Sequence, residues 1–535
     1  MSRRAEVGSC FSANTAGVRG IPVGHCADCP QGGEEMKRFG IIVASLLLCM
    51  GQLLFSGCGK EKTPQSATTE GTESTDQQIG GTDDSGYQRD DLGTLDYGNK
   101  TVNLLCWSDR SCQEFDSEGK NADIVNNAIF DRNRTVEQRL KVNLTFTLKP
   151  GNYTHMGEFR TTVETDALNE KVYDLYGCYG PLASDLAMAG YITDLGALRA
   201  LNFRQPWWPS DIVSNLSLGN RLYFATGDIS TNLLWMMQIT LFNANFKESA
   251  GITEDFYGLV QEKQWTLEKF MEICNGIYTG GSEQTLQDSY GLVTHANVYD
   301  AFVIGAGVKA IDKDENDMPI LSGTYGDART EKLISTLGAW LNDSDDVFIG
   351  RAGGGKNAFT DPRQLFEEGK SLFIVDKLYI VQSGSLRDMT DKYGILPMPL
   401  FEGQTEYHTD IANTHTQYCI ANKDSENMEM CGAVLECLAS ESHRQVIPVL
   451  YFKVMKLRYG VDAQTSAMYD LLRGAITFDF GKIFQRVFAD SKGGNSATRE
   501  AYMTAIEKKY NWNTRYTELK PIIEGKLGEL TFNLG

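Results

Sequence analysis

From Thr101 onward the chain alternates short apolar runs with longer amphipathic ones, and this alternation leaves few folds open. Thr101–Trp107 (TVNLLCW) reads as a buried strand. Ala122–Arg139 follows with Val125, Ala128, Ile129, Val136 and the adjoining Leu140 at helical spacing. Val142, Leu144, Phe146 and Leu148 then alternate with polar residues, the period-2 mark of a strand. A helix is expected over Met156–Lys171, a strand over Val172–Cys178, a helix over Leu182–Ala189 and a short strand over Tyr191–Leu195. Strand, helix, strand, helix, strand in that order predicts an α/β fold, with a parallel sheet covered on both faces. Ligands of such sheets sit at the carboxyl ends of the strands. That rule directs attention to Trp107-Ser108-Asp109-Arg110 and to Gly177-Cys178-Tyr179-Gly180, each of which closes a strand.

The second half has the same character with more helix. Thr266 is placed to cap a helix beginning at Leu267, and Lys309–Leu321 predicts a hairpin around Asp314–Asp317. A strand is expected at Ser371–Val375, leading to Tyr379. Another helix should begin near Asp424-Ser425, with Cys431, Val434, Leu435 and Leu438 on one face.

The opening of the chain is of another kind. At Met36, Lys37 and Arg38 precede an uncharged apolar run from Phe39 to Phe55, which ends in Ser56-Gly57-Cys58. A basic start, a short apolar run and small residues are the parts of a secretory signal, over residues 36–57. Phe55-Ser56-Gly57-Cys58 resembles the lipobox of bacterial lipoproteins, although Phe55 stands where Leu is usual. The resemblance implies lipidation of Cys58 as the mature N-terminus. Residues 1–35 then read as a leader placed ahead of the true start. Residues 59–98 are rich in Thr, Ser, Gly, Gln, Asp and Glu, and are expected to be a disordered tether.

Composition narrows the partners. About 475 residues follow Cys58, too many for one hydrophobic core and suited to two large lobes. A formal charge of −20 argues against nucleic acid, which would demand basic patches. Seven of the 12 cysteines lie beyond Cys58, so they cannot all pair within one chain. Cys431 and Cys437 on one helix would stand ~9 Å apart along its axis, out of disulfide reach.

Five features, in order, carry a family resemblance. They are the lipobox with its polar leash; the strand ending Leu104-Leu105-Cys106-Trp107; Tyr173-Asp174-Leu175 followed by Ala189–Leu195; Arg221–Phe224 with Leu241-Phe242-Asn243; and Phe366–Phe373 followed by Tyr393–Pro399. Together they resemble the extracellular solute-binding lipoproteins of ABC importers, the sugar-binding type related to maltose-binding protein. Asn220 departs from the glycine common before the fourth motif. The resemblance implies a two-lobed, periplasmic-binding-protein-like (type II) fold, with a ligand cleft between lobes and a hinge of crossing strands. It places residues 99–232 plus 394–445 in the N-terminal lobe and 233–393 plus 446–535 in the C-terminal lobe. It further implies a monomer that takes a carbohydrate, an oligosaccharide given the many aromatics, to ABC permease subunits from a lipid-anchored position outside the cell membrane.

Sugars offer an apolar C–H face to aromatic rings and a hydroxyl rim to polar side chains. Candidate ligand residues are Trp107, Asp109 and Arg110 at the first strand's end, Tyr179 after the third, Asp228, Trp235 and Met236 at the lobe crossing, and Tyr379. Trp207-Trp208 could wall the cleft or pack a loop. No cofactor and no metal is expected. The five histidines after Cys58 are scattered singly, and His25-Cys26 with Cys29 lacks a second ligand pair. Asp312, Asp314 and Asn316 open like a calcium loop, but Asp317 replaces its glycine. Gly353–Lys356 lacks the outer residues of a phosphate loop. Two other readings stand beside the transport one: a glycan-degrading surface enzyme, which needs two facing carboxylates, and a sugar receptor feeding a sensor kinase.

Overall fold

The structure is a computed structural model that describes residues 81–534, apart from 83–85, 110–112, 118, 120–122, 352–356, 384–385, 387–388, 457–462 and 490–495. The leader, the signal segment with Cys58 and most of the expected tether lie outside the described residues, as does Arg110.

The first sheet holds β1 (Lys100–Trp107), β2 (Val142–Lys149) and β3 (Leu175–Tyr179) in parallel, with β2 and β3 on either side of β1. The helix Ile124–Leu140 connects the first two strands and buries Val125, Ala128, Ile129, Val136 and Leu140, the stripe its spacing foretold. Asp123 caps it by accepting from the amides of Val125 and Asn126. β3 begins later than expected because the Asp166 carboxylate takes the amides of Val172 (2.7 Å) and Tyr173 (3.2 Å), bending the chain before it can pair. The expected strand at Tyr191–Leu195 is reduced to one bridge, Ile192 to Ala421. Asp194 diverts the rest, accepting from Gly196 N and Leu222 N.

The second sheet is built from β4 (Gln238–Asn243), β5 (Tyr290–His295), β8 (Val347–Gly350), β9 (Ser371–Lys377) and β10 (Tyr393–Leu396), in the order β10-β4-β9-β5-β8. β5 is parallel to β8 and β9, while β4 is antiparallel to β9 and β10. A final strand, β11 (Thr416–Ile420), joins the first sheet antiparallel to β3. The expected division at residues 393 and 394 therefore falls inside a strand: β10 belongs wholly to the second sheet, and the chain returns to the first between Pro397 and His415. The result is two α/β lobes, each around its own sheet.

The two sheets are bound at the points where the chain crosses between them. Ala225 bridges Tyr418, Met237 bridges Ile411, and Thr409 bridges Ile476. Lys482 is buried beside these crossings at 2% exposure. Its ammonium lies 2.6 Å from both carboxylate oxygens of Asp410, 2.8 Å from Ile411 O and 3.4 Å from Asp300. Asp300 in turn binds Arg499 (2.7 Å) and the Tyr502 hydroxyl (2.7 Å). Burial works against the Asp300 charge, but Arg499 and Lys482 outweigh it and hold its pKa down at about 2.

The expected hairpin is present as β6 (Ile311–Lys313) and β7 (Pro319–Leu321). Its acidic turn accepts from the protein's own donors. Asp312 accepts from Ser322 Oγ, and Asp314 from the amides of Asn316 and Met318. Asp317 reaches across to the first lobe, accepting from Ser217 Oγ (3.0 Å) and Asn220 N (2.9 Å). Asn220 and Asp317 both adopt left-handed backbone (φ 62° and 61°), so two tight turns clasp each other.

The part of the expected tether that is described corrects the composition-based reading, because Tyr87–Tyr97 is docked on the first lobe. Asp90 is 4% exposed and takes two bonds from Arg139 (2.7 and 2.8 Å). The Asp90–Arg139 ion pair, together with Leu92, Leu95 and Tyr97 packed against the core, holds this segment in place. Cys431 and Cys437 are both free and buried, and, as their spacing implied, do not pair with each other.

Replacing Lys482 with Met should leave the buried Asp410 without its cation and Asp300 with Arg499 as its remaining cation, at a cost of about 3–5 kcal/mol. Urea unfolding measures this; a loss within experimental error would show that the ionic centre is dispensable.

Candidate functional site

At the carboxyl ends of the first sheet's parallel strands, two aromatics meet. Trp107 and Tyr179 are both buried, with ring centroids 5.7 Å apart. The Trp107 indole donates to Thr416 Oγ1 at 2.9 Å, and Thr416 donates to the fully buried Glu114 carboxylate. Glu114 also accepts from Ser230 Oγ (2.5 Å) and Asn232 N (3.3 Å). Burial pushes the Tyr179 hydroxyl up to about 12. His415 packs against Gly180 so closely that a Cβ there would come within 2.5 Å of the ring. The His415 Nδ1–H donates to Ala412 O (2.8 Å), and burial lowers its pKa to about 4, so the ring is neutral.

Asp109 lies two residues beyond Trp107 and organises the loop after β2. It accepts from Gly151 N (2.8 Å) and Asn152 N (3.0 Å) and faces His155 Nδ1 at 3.0 Å. The loop's end reaches the other lobe, where Met156 Sδ receives Arg486 Nη1 at 3.6 Å. Arg486 also pairs with Asp185 of the helix Leu182–Met188. Arg160, Asp185, Met188, Arg486, Glu529 and Leu530 line an open cavity of about 490 Å³ at this lobe-to-lobe contact. Deeper in, Asn413 Nδ2 and Arg499 Nη1 both donate to Gln485 Oε1 (3.4 and 3.3 Å). Asn413 Oδ1 and Gln485 Nε2 are buried with no protein partner. A buried polar atom without a partner is costly, so both atoms gain from any further donor or acceptor brought to them.

The second lobe contributes the ends of β5 and β9. His295 Nε2 stands 3.4 Å from Asp376, which Arg363 holds at 2.7 Å, and Phe359 packs on the His295 ring. Burial opposes the Asp376 charge, but His295 and Arg363 keep its pKa well below the carboxylate range. Tyr379 follows β9 in a half-buried turn.

The structure thus brings Trp107, Asp109 and Tyr179 together at the first lobe's strand ends and puts Tyr379 in the second lobe. Asp228, Trp235 and Met236 lie in the first crossing, all buried. The Asp228 carboxylate is engaged by His443 Nδ1 (2.6 Å) and by Arg473. Trp207 and Trp208 pack a loop, both indoles donating to Glu436 (3.1 and 3.0 Å). The residues sequence reasoning missed are Glu114, Asp300, Asn413, His415, Gln485 and Arg499. They are isolated polar residues far apart in the chain, and no spacing pattern marks them. Only the position of Asn413 and His415 just before β11 offered a signal.

No protein-family model and no curated protein matches this chain. Solved structures do match it, and the likeness is one of fold: a two-lobed, periplasmic-binding-protein-like α/β architecture. The cyclo/maltodextrin-binding protein complexed with maltotetraose is 11% identical, covers 81% of this chain and 98% of its own, and has a TM-score of 0.52. The GacH receptor of Streptomyces glaucescens, solved unliganded and with acarbose, is 12% identical over 80% of this chain and 99% of its own, at 0.51. UspC of M. tuberculosis gives 12%, 80%, 100% and 0.52.

Burial of Glu436 raises its pKa to about 8, against the pull of the two indoles. The folded carboxyl is therefore neutral where the unfolded one ionises. Its share of stability is complete below pH ~4.5 and is lost as pH rises toward 8. Replacing Glu436 with Gln removes this dependence. The variant's stability relative to wild type should climb between pH 5 and 8, by up to about 1.4 kcal/mol per unit. Parallel stability curves in chemical denaturation would contradict the assignment.

Proposed function

We propose that this protein is an extracellular solute-binding protein that captures a carbohydrate, an oligosaccharide, and delivers it unaltered to the permease subunits of an ABC importer. It acts as a monomer held to the membrane by a lipid on Cys58. The observation that carries the reading is the two-lobed fold, with an open cavity of about 490 Å³ lined by residues of both lobes. Trp107 and Tyr179 supply aromatic surface; Asp109, Asp228 and Tyr379 are retained as cleft residues, with Trp235 supporting the crossing. Asn413, Gln485 and Arg499 supply hydrogen bonds suited to a hydroxyl rim.

The solved structures of like fold that carry acarbose or maltotetraose support the ligand class. The signal-like segment ending at Cys58 supports export and anchoring. Closure would follow the hinge pattern of two-lobed binders, in which ligand contacts to both sides stabilise the shut form.

A thermal-shift screen against defined oligosaccharides tests the ligand class. A sugar present at 100 times its Kd should stabilise the protein by ~2.7 kcal/mol, and the sugar should be recovered intact. A panel with no shift would remove the carbohydrate assignment. Intact-mass measurement of membrane-extracted protein should show acyl chains on a chain beginning at Cys58; an unmodified cysteine there would remove the anchor.

A further inference from the structure

We propose that the docked arm Tyr87–Asp91 is a strap on the lobe hinge, coupling the segment that leads toward the N-terminus to opening and closing of the lobes. The arm is held at three places. Asp90 is gripped by Arg139, which also binds Glu441 (2.7 Å), and by the Ser440 hydroxyl. Asp91 Oδ2 accepts from Asn202 Nδ2 (3.0 Å) and Gln205 Nε2 (2.8 Å). Gln88 Nε2 donates to Gln205 Oε1 at 2.6 Å. Beside them the Tyr87 ring meets His443 edge-on, with centroids 5.8 Å apart.

His443 is the link. It lies on the π-helical turn Ser442–Val446, which interrupts the helical run after Ser425–Glu441; such turns often mark functional sites. Its Nδ1 stands 2.6 Å from Asp228 Oδ2. Asp228 sits midway along the first crossing, between the bridges at Ala225 and Met237. The same carboxylate takes the Arg473 guanidinium, whose Nη2 also donates to Pro206 O (3.1 Å). Arg473 ends the helix Ala463–Gly474, which packs on β10 of the second lobe. Asp228 N donates to Trp207 O (2.9 Å), so the arm-bearing loop and the crossing are also joined through the backbone.

A contiguous set of contacts thus runs from arm to π-turn, to crossing, to second lobe. The hinge supplies the two-state element that coupling requires. In this structure Asp228 is held from the first lobe by His443 and from the second by Arg473. Releasing the arm strips the ring packed on His443 and loosens one of those holds, which favours the open form.

The test uses the full chain with Tyr87→Ala and Gln88→Ala combined, and Tyr87→Phe as the ring-preserving control. Asp90→Asn serves as a second release variant should the first leave the arm docked. Hydrogen exchange over residues 87–91 reports release. Distances between labels on unnatural amino acids at the exposed positions Glu158 and Glu268 report lobe opening. Affinity for the oligosaccharide that gives the largest thermal shift, a readout that rests on the carbohydrate reading, should fall about fivefold on release. The label distance should lengthen in the released variants and stay at the wild-type value in Tyr87→Phe. An arm shown to be released, with distance and affinity both unchanged, overturns the proposal. A changed distance in a protein that binds no oligosaccharide keeps the coupling and removes the carbohydrate reading alone.

Discussion

A lysine shut away from water joins the two halves of this molecule. Lys482 neutralises Asp410 where the chain passes between sheets, and through Asp300 it reaches Arg499 and Tyr502. A buried charge is tolerated only when it is paired and hydrogen-bonded, so these residues have little freedom to rearrange separately. The crossings at Ala225, Met237 and Thr409 are therefore fixed in register around one ionic centre. Each lobe can then be stiff while the joint between them consists of a few extended segments, the arrangement a hinged binder needs.

The lobes also touch away from the crossings. On one side Asp185 and Arg486 meet across the cleft mouth; on another the turn of Asp317 clasps the turn of Asn220. Both contacts are polar and partly exposed, so solvent can replace them at modest cost. Buried charge holds the joint, and these exposed polar contacts bridge the lobes elsewhere.

Much of this fold was legible in the sequence, and the reason is hydrophobic periodicity. Val125, Ala128, Ile129, Val136 and Leu140 face the first sheet because helical spacing leaves them no other face. The near-continuous apolar run of β1 announced a strand buried on both sides. What was not legible was decided by single carboxylates. Asp166 delayed β3, Asp194 cancelled a strand, and Asp90 docked a segment whose composition promised disorder. The site divides in the same way: Trp107 and Tyr179 follow from strand ends, whereas Gln485, Arg499 and Asn413 meet only through tertiary contacts.

Two stiff lobes that close around a carbohydrate at a common cleft would draw the molecule into a smaller volume. Small-angle scattering of the wild-type protein, with and without a saturating oligosaccharide, measures this directly. The account predicts a smaller radius of gyration in the sugar-bound protein, with the internal dimensions of each lobe preserved. Saturable binding that leaves the radius of gyration unchanged would contradict it.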